Sequence, residues 1–167
     1  MPATLQNMSP ADRNSARKLV AQNRRARHDY EIIDSVECGI VLVGSEVKSL
    51  REGTAQLKEA FARAEDGEIW LYGMHVPPYA QAGGFGHVDP DRRRKLLMHR
   101  KQIDSWTDRT AREAVTLVPL AVYFKEGRAK VEVALARGRK RYDKRQVIAE
   151  RDADRESERL HRDRQRR

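Results

Sequence analysis

Two strand-like runs, residues 117–124 and 128–136, flank the triplet Lys125-Glu126-Gly127, and nothing else in the chain constrains the fold as tightly. In the second run Val131, Val133 and Leu135 alternate with Lys130, Glu132 and Ala134, the period of two expected for a half-buried strand. A glycine at the reversal makes the pair a hairpin. Residues 61–64 and 68–73 repeat the design around Glu65-Asp66-Gly67, where Asp-Gly is itself a hairpin signal. Residues 30–37 alternate in two faces, and 40–43, bounded by Gly39 and Gly44, read as a short buried strand. An open sheet built from these pieces would leave two edges to protect, so closure is favoured. The expected class is mainly β with flanking α: a small closed antiparallel OB-like barrel of about six strands with about three short helices.

The helical segments read as follows. Residues 15–23 are expected to form one or two turns. SEVKSLREG places Val47 and Leu50 on one side of a short helix ending at Gly53. After Pro90, the positions Leu96, His99, Ile103, Trp106, Thr110 and Ala114 keep the 3–4 spacing of one helical face. Between the hairpins, QAGGFGHVDP reads as a Gly-rich surface loop. A length of 167 residues fits one domain plus appendages. We expect a disordered arm over residues 1–13, a barrel domain over 14–136 and a basic tail over 137–167.

The charge lies at the two ends. Residues 1–28 carry a net +5, residues 29–136 a net −2 and residues 137–167 a net +6, giving the total of +9. Basic arms on a near-neutral body suit nucleic acid, because each neutralised phosphate releases condensed counterions. A membrane surface would ask for a broad apolar face on the basic segment, and the tail offers only Val147, Ile148 and Leu160. In the tail 13 Lys and Arg face 7 Asp and Glu, with too little apolar surface to fold alone. Arg151, Arg155, Arg159, Arg162 and Arg166 fall on one stripe of a helix, which fully formed would reach roughly 40 Å. The tail is expected to be coil when free and helical when docked on a polyanion.

Catalytic patterns do not emerge. The five histidines are scattered, with none at i,i+4, and GxSxG, HExxH and P-loop motifs are missing. Asp89-Pro90-Asp91 reads as a turn, and GGFG at 83–86 lacks the Lys-Ser/Thr of a phosphate loop. Cys38 stands alone, so neither an internal disulfide nor a zinc site is expected. Without an apolar stretch of membrane length or a secretory leader, the chain reads as cytosolic, with no cofactor and no metal.

Several residues suggest contact with RNA. Arg24, Arg25, Arg27 and His28 run directly into a strand, so their charges would be pinned beside a rigid sheet rather than spread on a solvated run. Glu37, on the outward face of that strand, cannot favour phosphates but can accept hydrogen bonds from base edges. Arg92, Arg93, Arg94 and Lys95 at a helix start would oppose the helix dipole, a cost that phosphate binding would explain. Arg51 and Lys130 are single exposed cations.

Four blocks are then recognisable: NRRARHDY at 23–30, GSEVKSLREG at 44–53, DPDRRRKLLMH at 89–99 and ARGRKRYDKR at 136–145. In this order and at these separations the chain closely resembles the SmpB (SsrA-binding protein) family, over about residues 15–160. The resemblance implies a noncatalytic, monomeric OB-like barrel that binds the tRNA-like domain of transfer-messenger RNA (tmRNA) and brings it to stalled bacterial ribosomes for trans-translation. It implies a tmRNA-binding face of Asn23, Arg25, Arg27, His28, Glu37, Leu97 and His99, with Arg51, Lys95 and Lys130 beside it. Tyr142, Asp143, Lys144 and Arg145 would meet the decoding region of the small subunit. Arg151, Arg155 and Arg159 would follow the tail into the empty mRNA channel. Tyr142 stands where some members carry His, and either ring can stack on a base. The competing reading is a generic single-strand RNA-binding OB module or RNA chaperone, which would want more exposed aromatics than a chain with 6% aromatic residues supplies. A peptidyl-tRNA hydrolase would need Gly-Gly-Gln, and here Gly83-Gly84 is followed by Phe85.

Overall fold

The structure, a computed structural model, describes residues 17–81, 83, 88–139, 152, 153, 155 and 156. In chain order the elements are β1 (Arg17–Gln22), α1 (Ala26–Asp29), β2 (Tyr30–Ile40), α2 (Gly44–Arg51), β3 (Phe61–Glu65), β4 (Glu68–Tyr72), β5 (Arg94–Leu97), α3 (Arg100–Arg112), β6 (Thr116–Lys125) and β7 (Arg128–Gly138). Both expected hairpins form, each with a two-residue turn. Glu65 pairs with Glu68 across Asp66-Gly67, and Lys125 pairs with Arg128 across Glu126-Gly127. All four turn residues have positive φ (49°, 72°, 51° and 73°), the conformation whose twist matches the flanking strands.

Pairing runs β1-β6-β3-β4-β5-β2-β7, and β7 returns to β6. The antiparallel strands β6, β3, β4, β5, β2 and β7 therefore close into a ring, the expected barrel of six strands, and only β1, paired on one side with β6, keeps a free edge. β6 serves three neighbours. Ala62 of β3 pairs with Leu117 near its start, β1 pairs along its second half, and β7 runs the length of its other side. Bulges between Ile32 and Asp34 and between Pro119 and Ala121 bend the long strands around the core.

The alternation in β7 decides what is inside. Val131, Val133 and Leu135 join Cys38, Ile40, Ile69, Leu71, Leu96, Leu117 and Val122 in one buried cluster. α2 contributes Leu50 to it and α3 contributes Ile103 and Trp106. Cys38 lies here, its Sγ donating to the Val131 carbonyl at 3.2 Å, and burial pushes its thiol up to about 12. A smaller cluster lies outside the barrel wall. There Ala26 of α1 covers Val118, Leu120, Ala134 and Ala136.

Four expectations are corrected. Residues 17–22 form a strand rather than helical turns, because pairing with the second half of β6 satisfies their backbone where an isolated short helix would be marginal. Residues 40–43 are not a separate strand. β2 continues through Gly39 to Ile40 because Gly39 pairs with Lys130 on one side and Leu97 on the other, and Val41 and Val43 are exposed. Residues 94–97 are strand β5, and the helix starts only at Arg100. The 3–4 spacing began at Leu96 only because a buried strand residue happened to fall in phase with the helix. Finally, Arg137 and Gly138 belong to β7, paired with Glu31 and Tyr30. The N-terminal arm over residues 1–13 lies outside the described residues.

Gly73 closes β4 with φ of 69°, and a Cβ there would meet the Glu59 carbonyl oxygen at 2.6 Å. Gly73→Ala is expected to lower stability by more than about 1 kcal/mol, measured as a shift in the urea midpoint at unchanged slope.

Candidate nucleic-acid interface

Strand register assembles the site. Leu97 pairs with Gly39, Gly39 with Lys130, Lys130 with Tyr123 and Tyr123 with Leu19. Residues directly opposite in a ladder share a face. Since Val131, Cys38 and Val122 point inward, this row of β5, β2, β7, β6 and β1 points outward. Its ends, Leu97 and Leu19, are 52% and 57% exposed, more than any other large apolar residue among those described. Gly39 keeps the middle of the row low, since a Cβ there would approach the Leu97 Cβ to 3.3 Å.

The next row pairs Glu37 with Glu132. Like charges directly opposite repel, and the neighbours of Glu37 answer this. The Tyr123 hydroxyl donates to Glu37 Oε2 at 2.5 Å, and Lys125 Nζ donates to Oε1 at 3.2 Å. Arg17 places Nη2 3.5 Å from Oε2, and its guanidinium lies 4.8 Å over the Tyr123 ring. Partial burial alone would raise the carboxyl, but the hydrogen bonds from Tyr123 and Lys125 and the charges of Lys125 and Arg17 hold it below its usual value. Burial first, and then the hydrogen bond to Glu37 and its charge, push the Tyr123 phenol up, with the charge of Arg17 opposing. Glu37 is thus a fixed anion. A carboxylate offers about four lone-pair sites, so these donors leave it capacity to accept from a base edge.

On the same outer surface, toward the far end of β6 and β7, sits α1. Asn23, expected to touch RNA, is 9% exposed and braces the turn: its N–H donates to the Leu120 carbonyl at 2.8 Å, and its Oδ1 accepts from the Ala26 N–H at 3.2 Å. This pins the turn that carries the cations. Arg24, Arg25 and Arg27 are exposed and make no ion pair among the described residues. His28 Nδ1 lies 2.9 Å from Asp29 Oδ1.

The basic block at 92–95 differs most from expectation. It is a set of ion pairs rather than a phosphate cradle at a helix start. Arg94 is fully buried: Nε donates to Glu46 Oε1 at 2.9 Å, Nη1 to the carbonyls of Met74 and Arg92, and Nη2 to that of Pro90. Arg92 Nη2 donates to Glu46 Oε2 at 2.6 Å. Arg93 donates to Glu65 and covers the Trp70 ring at 4.4 Å. Lys95, expected on the RNA face, is paired with Glu68 on β4. A buried carboxylate 46 or more residues away could not be matched to these arginines by local reading.

Of the remaining expected residues, Leu97 and Lys130 lie in the outward row with Glu37 beside them. His99 is exposed just before α3, its backbone N–H donating to Gln102 Oε1 at 3.4 Å. Arg51 ends α2 with its guanidinium 5.4 Å over the Phe124 ring. Arg17, Leu19, Tyr123 and Lys125 were missed. The alternation that placed Lys130 outward also puts Tyr123 and Lys125 outward on β6, so the signal was available for two of them. Tyr142, Asp143, Lys144, Arg145, Arg151 and Arg159 lie outside the described residues. Asp152, Ala153, Arg155 and Glu156 are helical, with Arg155 Nη1 3.9 Å from Asp152 Oδ1.

A family model described as SmpB protein matches residues 20–163. An SsrA-binding protein of Parafrankia sp. (strain EAN1pec) is 55% identical over 148 residues, covering 89% of this chain and 93% of that one. One from Desulforudis audaxviator (strain MP104C) is 56% identical over 139 residues, covering 83% and 90%. A chain of the solved structure described as "tmRNA-SmpB: a journey to the center of the bacterial ribosome" superposes with a TM-score of 0.60 at 46% identity, covering 76% of this chain and 92% of that chain. The closed barrel, its outward row and these matches over most of the length agree: the chain belongs to the SmpB family.

Proposed function

We propose that this protein binds the tRNA-like domain of tmRNA through the outer face of β2, β6 and β7 and the turn at α1, and delivers it to stalled bacterial ribosomes for trans-translation. The observation that carries this reading is the held carboxylate of Glu37 between Lys125 and Arg17, on the outer surface that also carries, at the α1 turn, three arginines that make no ion pair among the described residues. Arg24, Arg25 and Arg27 supply attraction to phosphates wherever they fall, and Glu37 supplies discrimination, since it penalises a phosphate and rewards a base amino or imino group. Names borne by relatives support the same partner, as they are SsrA-binding proteins. The solved neighbour's description pairs tmRNA with the bacterial ribosome.

In this reading the protein performs no chemistry of its own. It acts as a monomer in the cytoplasm, where its barrel grips tmRNA. Tyr142, Asp143, Lys144 and Arg145 meet the decoding centre of the small subunit, and the tail with Arg151, Arg155 and Arg159 enters the empty mRNA channel as a helix.

Glu37→Gln keeps the side chain's size and removes its charge. Binding to the tRNA-like domain is expected to weaken by roughly tenfold, in keeping with the ~1–3 kcal/mol of a good base contact. An unrelated single-stranded RNA should bind as well or better, because a repulsive charge has gone. Filter binding of both RNAs at one salt concentration measures this, and equal gains for the two would reject a base-edge role.

A further inference from the structure

Beyond the outward row, the barrel carries a groove that shares only Asn23 and Arg25 with the expected site. It runs between the segment 21–30 and the segment 55–61, then on along β3 beneath α3. Three hollows form it, of about 290, 470 and 370 Å³. The first two share Asn23, Arg25 and Lys58, and the last two share Phe61 and Thr116, so they are consecutive stations of one channel. Each is near the roughly 300 Å³ at which small-ligand pockets begin.

Its lining has a definite chemistry. Arg24, Arg25 and Lys58 are exposed and make no ion pair among the described residues. Phe61 stands where the second hollow meets the third, 40% exposed, which is unusual for its size. The ring is held: it stacks on Tyr72 with centroids 5.3 Å apart and planes 10° from parallel, and Arg63 lies 5.7 Å from its centroid. In the third hollow Thr107 carries an Oγ1 that is buried without a hydrogen-bond partner. Two carboxylates, Asp29 and Glu59, line the second hollow, and Asp29 is already engaged by His28. Cations without partners at one end, a braced aromatic ring in the middle and an unsatisfied hydroxyl beyond suit an alternation of phosphate and base. They do not suit a neutral or apolar peptide, which would leave the three cations without partners.

We propose that this groove binds an extended, unpaired stretch of RNA, with Arg24, Arg25 and Lys58 on its phosphates and one base stacked on Phe61. This rests on the RNA-binding function proposed above and adds Lys58 and Phe61 to it. The strand would leave the α1 turn and pass along β3, away from Glu37 and Lys130. One molecule therefore contacts a folded RNA surface and a single strand at once.

The test uses the full chain and the tRNA-like domain of tmRNA, with Kd measured over a range of salt. Lys58→Glu is expected to weaken binding by roughly tenfold and to flatten the slope of log K against log salt by about one or more phosphates. Phe61→Leu is expected to weaken it by roughly 5–100-fold with the salt slope unchanged, and Phe61→Trp to restore it, as stacking on any π-face does. Photocrosslinking with RNA carrying 4-thiouridine in its unpaired segments should label the peptide containing Phe61. Unchanged Kd and slope in both Lys58→Glu and Phe61→Leu would overturn the proposal, as would equal losses for Phe61→Leu and Phe61→Trp. Wild-type protein that fails to bind the tRNA-like domain would instead reject the parent function, whatever the variants do.

Discussion

Arg94→Met should lower the folding free energy by about 3–5 kcal/mol, the cost of breaking a buried ion pair by removing one partner. Arg94 is fully buried, and its donors serve the Glu46 carboxylate and three main-chain carbonyls, those of Met74, Pro90 and Arg92. Methionine fills much of the volume but satisfies none of these acceptors. Burial pulls the guanidinium below its usual range and the charge of Glu46 opposes this, while the carboxyl of Glu46 is itself held below its usual value. On Glu46, burial acts to raise the value and is outweighed by hydrogen bonds from Arg92 and the Val43 N–H and by the charge of Arg94. The sign of the pH dependence follows. A carboxyl with a depressed folded pKa contributes stability in full above its unfolded value of about 4.3 and loses it as pH falls through the lower folded value. Urea unfolding at pH 7 and pH 3 measures both effects. The wild type should lose stability on acidification, and Arg94→Met should lose less. A cost below about 1 kcal/mol at pH 7 would show that the network is dispensable.

Ending the chain after Arg139 should leave binding to the tRNA-like domain nearly intact and abolish tagging on stalled ribosomes. The cut falls here because β7 runs to Gly138 and the Arg139 N–H still donates to the Asp29 carbonyl at 3.0 Å. A cut before Arg137 would remove ladder bonds to Tyr30 and Glu31 and confuse a folding defect with a functional one. Tagging by the truncated protein is expected to fall by roughly 100-fold or more, as when one of two linked contacts is lost. The measurements are a binding isotherm with the tRNA-like domain and incorporation of the tag peptide in a stalled translation extract. Loss of both activities together would contradict the division of labour between barrel and tail.

What could be read from the sequence was what is local or periodic. The hairpins around Asp66-Gly67 and Glu126-Gly127, and the inward set Val131, Val133 and Leu135, need only a turn signal and a period of two. Residues 17–22 differ from the sequence expectation because six residues with two adjacent cations carry no strong period, and only the free side of β6 decides their state. The block at 92–95 differs from expectation for a related reason. Clustered arginines look like a phosphate site until their partners are known, and Glu46, Glu65 and Glu68 come from three distant elements. In the candidate interface, Glu37 was legible as an outward carboxylate. The hydroxyl of Tyr123 that fixes it lies 86 residues away and depends on barrel closure. The turn-bracing contacts of Asn23 with Leu120 and Ala26 depend on the fold around β6 and could not be read from the block NRRARHDY.

The short contact at the end of β7 has a consequence for the assembled complex. Gly138 pairs with Tyr30, and the Arg139 N–H bonds to Asp29, within the turn that carries Arg25 and Arg27. The chain therefore leaves the barrel at Arg139 directly beside that turn. If tmRNA is held at this turn as proposed, the chain leaving Arg139 starts next to it, and the effective concentration of the tail at a ribosome that receives the tmRNA is set from that point. Short flexible tethers give effective concentrations in the millimolar range, so in the proposed assembly even weak tail contacts would be occupied after delivery and almost unoccupied before it.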